Sequence, residues 1–168
     1  MIRPEKPGDG SAIDRVHQLG FGRQDEAVLV NELRDSGALA VSLVAEVEGQ
    51  VIGHIALSPM TFDEYPTLSK GYGLGPIAVL PEHQQMGVGL QLIESGLEMC
   101  KLIGGEIVVV LGHPGYYPKA GFKQASDFGI LCEFDVPAEL FMVIELKEGT
   151  LANYHGIARY HPAFHEVE

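Results

Sequence analysis

A glycine pair near the middle of the chain has the spacing of an anion-binding loop. The segment from Pro81 to Leu90 lies between a predicted strand and a predicted amphipathic helix and contains Gly87 and Gly89. Glycines at i and i+2 let backbone N–H groups approach a ligand closely, and a helix start adds partial positive charge. Such a loop most often binds a phosphate or pyrophosphate. Lys and Arg are absent between Lys70 and Lys101, so backbone groups would have to hold the anion.

Two familiar phosphate-binding motifs do not fit this loop. The Walker motif requires Gly-Lys followed by Ser or Thr, whereas Gly89 is followed by Leu and Gln. The dinucleotide fingerprint requires a third glycine three residues after the second, where this chain has Leu92. The pattern that remains is Gln84, two residues, Gly87, one residue, and Gly89.

A second motif lies downstream, after a short connection that reads Leu111-Gly112-His113-Pro114. It consists of Tyr116-Tyr117 followed by Pro118-Lys119-Ala120-Gly121-Phe122. Together the two motifs resemble the GNAT superfamily of acetyl-CoA-dependent N-acetyltransferases. That family carries Gln or Arg, two residues, Gly, one residue, then Gly or Ala after a bulged strand, and often a later Tyr-x-Lys-x-Gly-Phe segment. The doubled tyrosine is similar to one GNAT branch whose substrates are mostly unassigned, and the resemblance covers nearly the whole chain.

The resemblance implies how a cofactor would be held. In the family, the strand before the loop splays from its neighbour, and the pantetheine arm of CoA pairs with the free strand edge. The backbone contacts would then come from Ile77, Ala78 and Val79. The pyrophosphate would be wrapped by the following residues: Gln84, Gln85, Met86, Gly87, Val88, Gly89 and Leu90. Acetyl-CoA is the implied co-substrate, with Lys119 or Lys123 near its outer phosphate and no metal.

The resemblance also assigns a general acid. Tyr117 would protonate the departing CoA thiolate after a primary amine attacks the thioester directly. A phenol with a pKa of about 10 is fully protonated at neutral pH and can therefore donate. The alternative is that Tyr117 only packs under Gly121 and Phe122, and Tyr116 is expected to be the packing member of the pair.

No motif singles out the general base or the acceptor site. His113 lies just past the strand that flanks the cleft, and Asp25 and Glu26 lie where the family's second helix borders the acceptor, with Phe21 just before them. A water relay is an equal alternative. Acceptor specificity would come from segments without a readable motif: Phe21 to Glu32, Ser58 to Lys70, and the C-terminal stretch.

The pattern of apolar residues predicts one α/β domain over residues 1–168 that positions these motifs. A proline cannot donate to a sheet ladder, so Pro76 indicates a bulge or a place where strands part. The strand, helix, strand unit from Tyr72 to Leu111 requires a right-handed parallel crossover. The expected fold is GNAT-type, with a mixed, mostly antiparallel central sheet, a splayed strand pair and flanking helices.

The individual elements follow from periodicity and turn residues. The predicted helices run from the capping residues Asp9 and Ser11 to Gly20, from Asp25 to Ser36, from Met86 to Leu102, and over a short stretch from Tyr116 to Ala120. The predicted strands are Ala38 to Val47, Val51 to Ser58, Tyr72 to Leu80, Ile107 to Leu111, Lys123 to Ser126 and Phe141 to Leu146. Residues 150–168 are predicted to form an irregular tail.

Composition narrows the function further. Of 168 residues 46% are apolar, which excludes a disordered protein, and 11 Lys and Arg against 23 Asp and Glu give a net charge of −12. The acidic balance argues against nucleic acid or an anionic membrane as partner. Cys100 and Cys132 are expected to be buried thiols, and His155, His161 and His165 a surface tail rather than a metal site. The chain lacks a signal-like start and any apolar run near the ~18 residues that span a bilayer, which predicts a soluble cytoplasmic protein.

The function predicted is an N-acetyltransferase that acts on a primary amine of a small molecule or a protein. The acidic charge favours a cationic acceptor. The rival is a non-catalytic acyl-CoA-binding or sensory module with the same fold. Dimers are common in the family, so a homodimer is one expected assembly.

Overall fold

The computed structural model of the chain describes residues 1–63 and 69–167. Its helices are α1 (Gly10–Phe21), α2 (Asp25–Asp35) and α3 (Val88–Leu102). Its strands are β1 (Ile2–Pro4), β2 (Val41–Val47), β3 (Gln50–Pro59), β4 (Thr61–Phe62), β5 (Gly71–Val79), β6 (Ile107–Leu111), β7 (Lys123–Gln124), β8 (Ile130–Cys132), β9 (Phe141–Glu145) and β10 (Gly156–Arg159). Short 3₁₀ turns cover 81–83, 117–120, 125–128, 138–140, 151–153 and 162–166. Residues 64–68 of the expected specificity segment Ser58 to Lys70, and residue 168, lie outside the described residues.

The strands form a mixed, mostly antiparallel arrangement, as predicted. Seven of the described strands make one sheet in the order β1-β2-β3-β5-β6-β9-β7, in which β5 and β6 are parallel and the other neighbours antiparallel. α3 makes the connection between β5 and β6, which confirms the predicted strand, helix, strand unit. A smaller sheet has the order β4-β10-β8.

α3 packs against the sheet along the predicted apolar stripe, but it begins later than predicted. Ile93, Leu97 and Cys100 are buried. Gly96 lets the helix approach β3 closely, since a Cβ there would lie 3.2 Å from Leu57 Cδ1. Met86, which was expected to start the stripe, is 68% exposed, because Gly87 has a left-handed φ of 84° and the helix starts only after it.

β5 and β6 part at the predicted proline. β5 pairs with β6 only from Gly71 to Leu74, whereas its pairing with β3 continues to Val79 with a register shift on the way. Gly75, with φ 139°, and Pro76 follow the last β6 pair directly. The strand edge after Leu74 is therefore released from β6, which confirms the splayed strand pair.

The C-terminal stretch is not the irregular tail that was predicted. Within it, β10 pairs with β4 antiparallel and with β8 parallel. Tyr154, Ala158 and Tyr160 are buried in a second apolar cluster with residues of β6 and β9. These contacts explain the difference, because a four-residue strand flanked by turns has too little periodicity to reveal partners that lie far away in the sequence.

Two details at the N-terminus differ from the elements predicted from the sequence. The short strand β1, which sequence patterning missed, pairs with β2. Asp9 precedes α1 as predicted but does not cap it with its side chain. Its carboxylate instead binds the Arg3 guanidinium at 2.8 Å and accepts from the Lys6 N–H at 2.6 Å. The ion pair with Arg3 therefore takes the place of the expected cap.

In residues 1–63 and 69–167, no helix is both long and apolar enough to cross a membrane.

Candidate active site

Two cavities meet along β5 where it leaves β6. The smaller, of about 230 Å³, lies against Ile77, Ala78 and Val79. The larger, of about 560 Å³, lies against Leu74, Gly75 and Pro76, and the end of β6 at Leu111. Phe21 at the end of α1 lines both. The two cavities therefore lie next to each other along β5 and share the Phe21 side chain.

The smaller cavity contains several residues that the motif placed at the cofactor. Ile77, Ala78, Val79, Gln84 and Gly89 all line it. The Gln84 side chain donates from Nε2 to the Val79 carbonyl at 2.9 Å, which ties the loop to the end of the strand. Gly20, which sequence reasoning missed, also lines it, and a Cβ there would lie 3.0 Å from Ala78 Cβ. α1 can approach β5 this closely only through a glycine.

The loop from Gln85 to Leu90 presents main-chain groups beside this cavity. Gln85 and Gly87 have left-handed φ values of 64° and 84°. The Gln91 N–H donates to the Gly87 carbonyl at 3.1 Å, so the amides of Val88, Gly89 and Leu90 precede the first bond of the helix ladder. Met86 is exposed on the loop. Amides at a helix start favour an anion.

Tyr116 packs against the main apolar core, as expected, and also faces the smaller cavity. It lines the smaller cavity and is half-buried. A Cβ on Gly89 would lie 2.5 Å from the Tyr116 hydroxyl, so only a glycine allows that hydroxyl to reach the start of α3. Lys119 Nζ lies 6.0 Å from the centre of the same ring. The doubled tyrosine was the sequence signal that could have identified this residue.

Tyr117 is the more buried of the two tyrosines, with 8% of its surface exposed. Its ring packs edge-on against Tyr116 and Phe122, with centroid separations of 5.3 and 5.8 Å. A Cβ on Gly112, the residue after β6, would overlap the Tyr117 ring. Burial raises the pKa of Tyr117 to about 12, so the phenol is protonated at neutral pH. The ring therefore lies where β6 ends, and Tyr117 is not among the described residues that line either cavity.

Glu26 and Arg23 place a charged pair in the larger cavity. Both line the larger cavity, and Glu26 is 5% exposed. Arg23 binds it in a fork, with Nη2–Oε2 at 2.5 Å and Nε–Oε1 at 3.0 Å. Asp25 is half-exposed beside Arg23 at 3.6 Å and is not among the described residues that line the cavity.

His113 shapes the turn after β6. It is exposed, its Nδ1 accepts from the Gly115 N–H at 3.0 Å, and its carbonyl accepts from the Tyr116 N–H at 3.1 Å. It is not among the described residues that line either cavity. The structure therefore brings Glu26 and Phe21, but not His113 or Asp25, to the larger cavity.

Tyr160 on the acceptor side had no sequence signal. It lines the larger cavity and is buried, with 7% of its surface exposed. Its hydroxyl lies near the backbone of Leu111, at the end of β6. Its ring packs over β5, since a Cβ on Gly73 would lie 2.8 Å from it. β10 and the turn after it bring the residue to the site, which only the tertiary fold reveals.

The C-terminal histidines have protein partners of their own. His165 Nε2 lies 2.7 Å from a Glu133 carboxylate oxygen, and His161 Nδ1 accepts from the Ala163 N–H at 3.1 Å. In the part of the chain that the structure describes, no three His, Cys, Asp or Glu side chains stand together as a metal site.

A sheet whose parallel strand pair parts at a proline, beside a glycine loop that opens the crossover helix, defines a GNAT-type acetyltransferase. Residues 38–124 match the acetyltransferase (GNAT) domain family. The chain belongs to the GNAT superfamily of N-acetyltransferases.

Relatives of known structure share the whole architecture. The chain is 34% identical over 165 residues to the uncharacterized N-acetyltransferase YhbS of Escherichia coli strain K12, covering 98% of both chains. The structure of Escherichia coli YhbS in complex with CoA superposes with a TM-score of 0.94 at 32% identity and covers 100% of this chain and 93% of that one. A GNAT family acetyltransferase from Brucella melitensis in complex with acetyl-CoA has a TM-score of 0.81 at 36% identity, covering 98% and 97%.

Proposed function

We propose that this protein transfers the acetyl group of acetyl-CoA to a primary amine by direct attack. The observation that carries the proposal is the meeting of two cavities on the released edge of β5. One holds the motif residues for a cofactor, and the other offers space for an acceptor. The complexes of YhbS with CoA and of the Brucella protein with acetyl-CoA support the cofactor assignment.

The cofactor would run along β5 towards α3. The pantetheine arm would pair with the strand edge at Ile77, Ala78 and Val79, which β6 leaves open. The pyrophosphate would meet the amides of the first turn of α3, supplemented by the Tyr116 hydroxyl at Gly89. Main-chain donors explain how a chain of net charge −12 can hold a polyanion without a basic side chain in the loop.

Tyr117 is the proposed general acid. The amine nitrogen attacks the thioester carbon, the carbon–sulfur bond breaks, and the CoA thiolate takes the phenolic proton. The location of Tyr117 against Gly112, where β5 and β6 part, suits this role because the thioester must reach that point. Its raised pKa keeps the proton available at neutral pH.

Glu26 is the proposed acceptor of the amine proton, directly or through a water. It is the carboxylate among the described residues that line the larger cavity. The Arg23 fork holds the carboxylate in one orientation. The acidic charge of the chain would favour the approach of the amine as a cation, which then loses its proton at this carboxylate.

The experiment combines acetyl-CoA titration by calorimetry with release of free thiol in the presence of an amine panel. Tyr117→Phe should lower kcat about 10²-fold or more while the Kd for acetyl-CoA changes little. Tyr116→Phe is the matched control and should weaken acetyl-CoA binding with a smaller effect on kcat. Wild-type turnover by Tyr117→Phe would refute the acid assignment. Acetyl-CoA binding without turnover of any amine would favour the non-catalytic acyl-CoA-binding module.

A further inference from the structure

The acceptor cavity has an aromatic wall, defined here as Phe134, Tyr160 and Phe164. The Tyr160 ring centre lies 4.8 Å from that of Phe164 and 5.9 Å from that of Phe134. Phe164 follows β10, so the C-terminal segment builds this face of the cavity. Leu29 of α2 and Val136 add aliphatic surface. A flat or branched apolar group fits such a lining better than a hydrated one.

The charge in the cavity is already paired. Arg23 and Glu26 are the charged side chains among the described residues that line it, and they neutralise one another at 2.5 Å. A polyamine would bring several ammonium groups to a cavity whose described lining residues include one carboxylate, that of Glu26. A sugar amine would bring many hydroxyls to walls that cannot pair with them, and unpaired buried polar groups are strongly disfavoured.

The Tyr160 hydroxyl is the side-chain polar group that the aromatic wall offers, and it lies near the backbone of Leu111 at the end of β6. The edge of the Tyr160 ring covers Gly73, next to Leu74 on β5. A single hydroxyl is matched by an acceptor with a single hydrogen-bonding group. A primary amine attached to an apolar body meets this requirement.

We infer that the acceptor is a small primary amine carried on an apolar body about the size of one aromatic ring or a branched aliphatic chain. The inference rests on the proposed acetyl transfer and names the substrate class of the same site. The body lies against the aromatic wall, and the amine points to the opening at Pro76 where the thioester arrives.

The test compares kcat/KM for 2-phenylethylamine, 3-methylbutylamine, spermidine, glucosamine and a lysine-containing tripeptide at saturating acetyl-CoA. The two apolar amines should exceed the other three at least about tenfold. Phe164→Ala should reduce this preference about tenfold and leave the Kd for acetyl-CoA unchanged. Phe128→Ala removes a phenylalanine that lines a different groove and should leave the preference intact.

A second variant tests the same inference even if Phe164→Ala fails to fold. Val136 is only half-buried, so Val136→Asp should fold, and its added carboxylate should move the preference towards spermidine. Higher kcat/KM for spermidine, glucosamine or the peptide in the wild-type protein would overturn the inference and leave acetyl transfer standing.

A binding measurement distinguishes the proposal of acetyl transfer from the proposal of an apolar amine site. In the presence of CoA, 2-phenylethylamine should raise the Tm of the wild-type protein and spermidine should not. Acetyl-CoA binding and a Tm increase without thiol release would refute the transferase but support the apolar amine site. A Tm increase with spermidine alone would refute the amine class.

Discussion

Acidification from pH 7 to pH 5 should destabilise the protein through a buried histidine pair. His17 Nε2 and His54 Nδ1 are 2.8 Å apart, and both side chains are fully buried. His54 Nε2 lies 2.8 Å from Ser42 Oγ, which donates to Glu5 at 2.5 Å. With Glu5 ionised, the hydrogen bonds of this series all run towards its carboxylate: Ser42 donates to Glu5, His54 donates to Ser42, and His17 donates to His54. Both rings are then neutral, and His17 Nδ1 lacks both a proton and a partner in the described residues.

The size of the stability loss follows from the free energy needed to protonate these buried rings. Burial lowers the pKa of His17 to about 4, partly opposed by Glu26, and burial also lowers the pKa of His54 well below its usual value. In the unfolded chain both have a pKa of about 6.5. Below pH 6.5 the unfolded state therefore binds more protons than the folded state, and the free energy of unfolding falls as the pH drops. His17 alone accounts for a loss of about 2 kcal/mol at pH 5.

The other charged groups near the pair do not account for the stability loss between pH 7 and pH 5. His17 adds to the lowering of the His54 pKa, as does Arg34, whereas Asp9 opposes it. The hydrogen bond from Arg3 holds the pKa of Asp9 at about 2, so stability gained from that carboxylate is present above its unfolded value and is lost only as the pH falls from about 4 towards 2. The loss between pH 7 and pH 5 therefore reports the histidines.

Urea unfolding at pH 7, 6 and 5 measures the effect. The wild-type protein should lose about 2 kcal/mol or more, with a slope approaching 1.4 kcal/mol per pH unit for each histidine that takes up a proton. His17→Gln should be less stable at pH 7 but should lose less on acidification. His155→Gln, at an exposed position, should retain the wild-type slope. A wild-type stability that is flat between pH 7 and 5, or an unchanged slope in His17→Gln, would refute the reasoning.

Three further predictions concern the cofactor and acceptor. Gly89→Ala should raise the Kd for acetyl-CoA about tenfold or more in calorimetry, because its Cβ would lie 2.5 Å from the Tyr116 hydroxyl, and the double variant with Tyr116→Phe should recover part of the loss. Gln84→Ala removes the 2.9 Å bond to the Val79 carbonyl and should raise the same Kd several-fold without altering kcat. Added salt should lower kcat/KM for a cationic amine, and salt-insensitive rates would contradict electrostatic attraction by the chain.

Sequence reasoning succeeded where the function depends on neighbours in the chain. Ile77, Val79, Gln84 and Gly89 belong to one strand, loop and helix start, and they line one cavity together. Pro76 alone predicts an interruption of the strand pairing, since a proline cannot donate to a sheet ladder. These parts need only local rules of backbone geometry.

The acceptor compartment was not predictable in the same way. Its aromatic wall joins Phe134 to Tyr160 and Phe164 across the smaller sheet, whose strands are three or four residues long on that side. Short strands carry almost no periodic signal, and their partners are set by tertiary packing. The motif marks only Tyr117 and does not indicate that Tyr116, besides packing on the core, also reaches the smaller cavity above Gly89.

The histidine pair and the two cavities share one helix. α1 carries His17 on its buried face and, one turn later, Phe21, whose ring stacks at 6.0 Å on that of His17 and lines both cavities. His54 stands opposite Ala78 in the ladder between β3 and β5. The bond between the two histidines therefore fixes the end of α1 over the segment of β5 that would receive the cofactor. A neutral pair suits this position because it holds the helix in place without the cost of burying a charge.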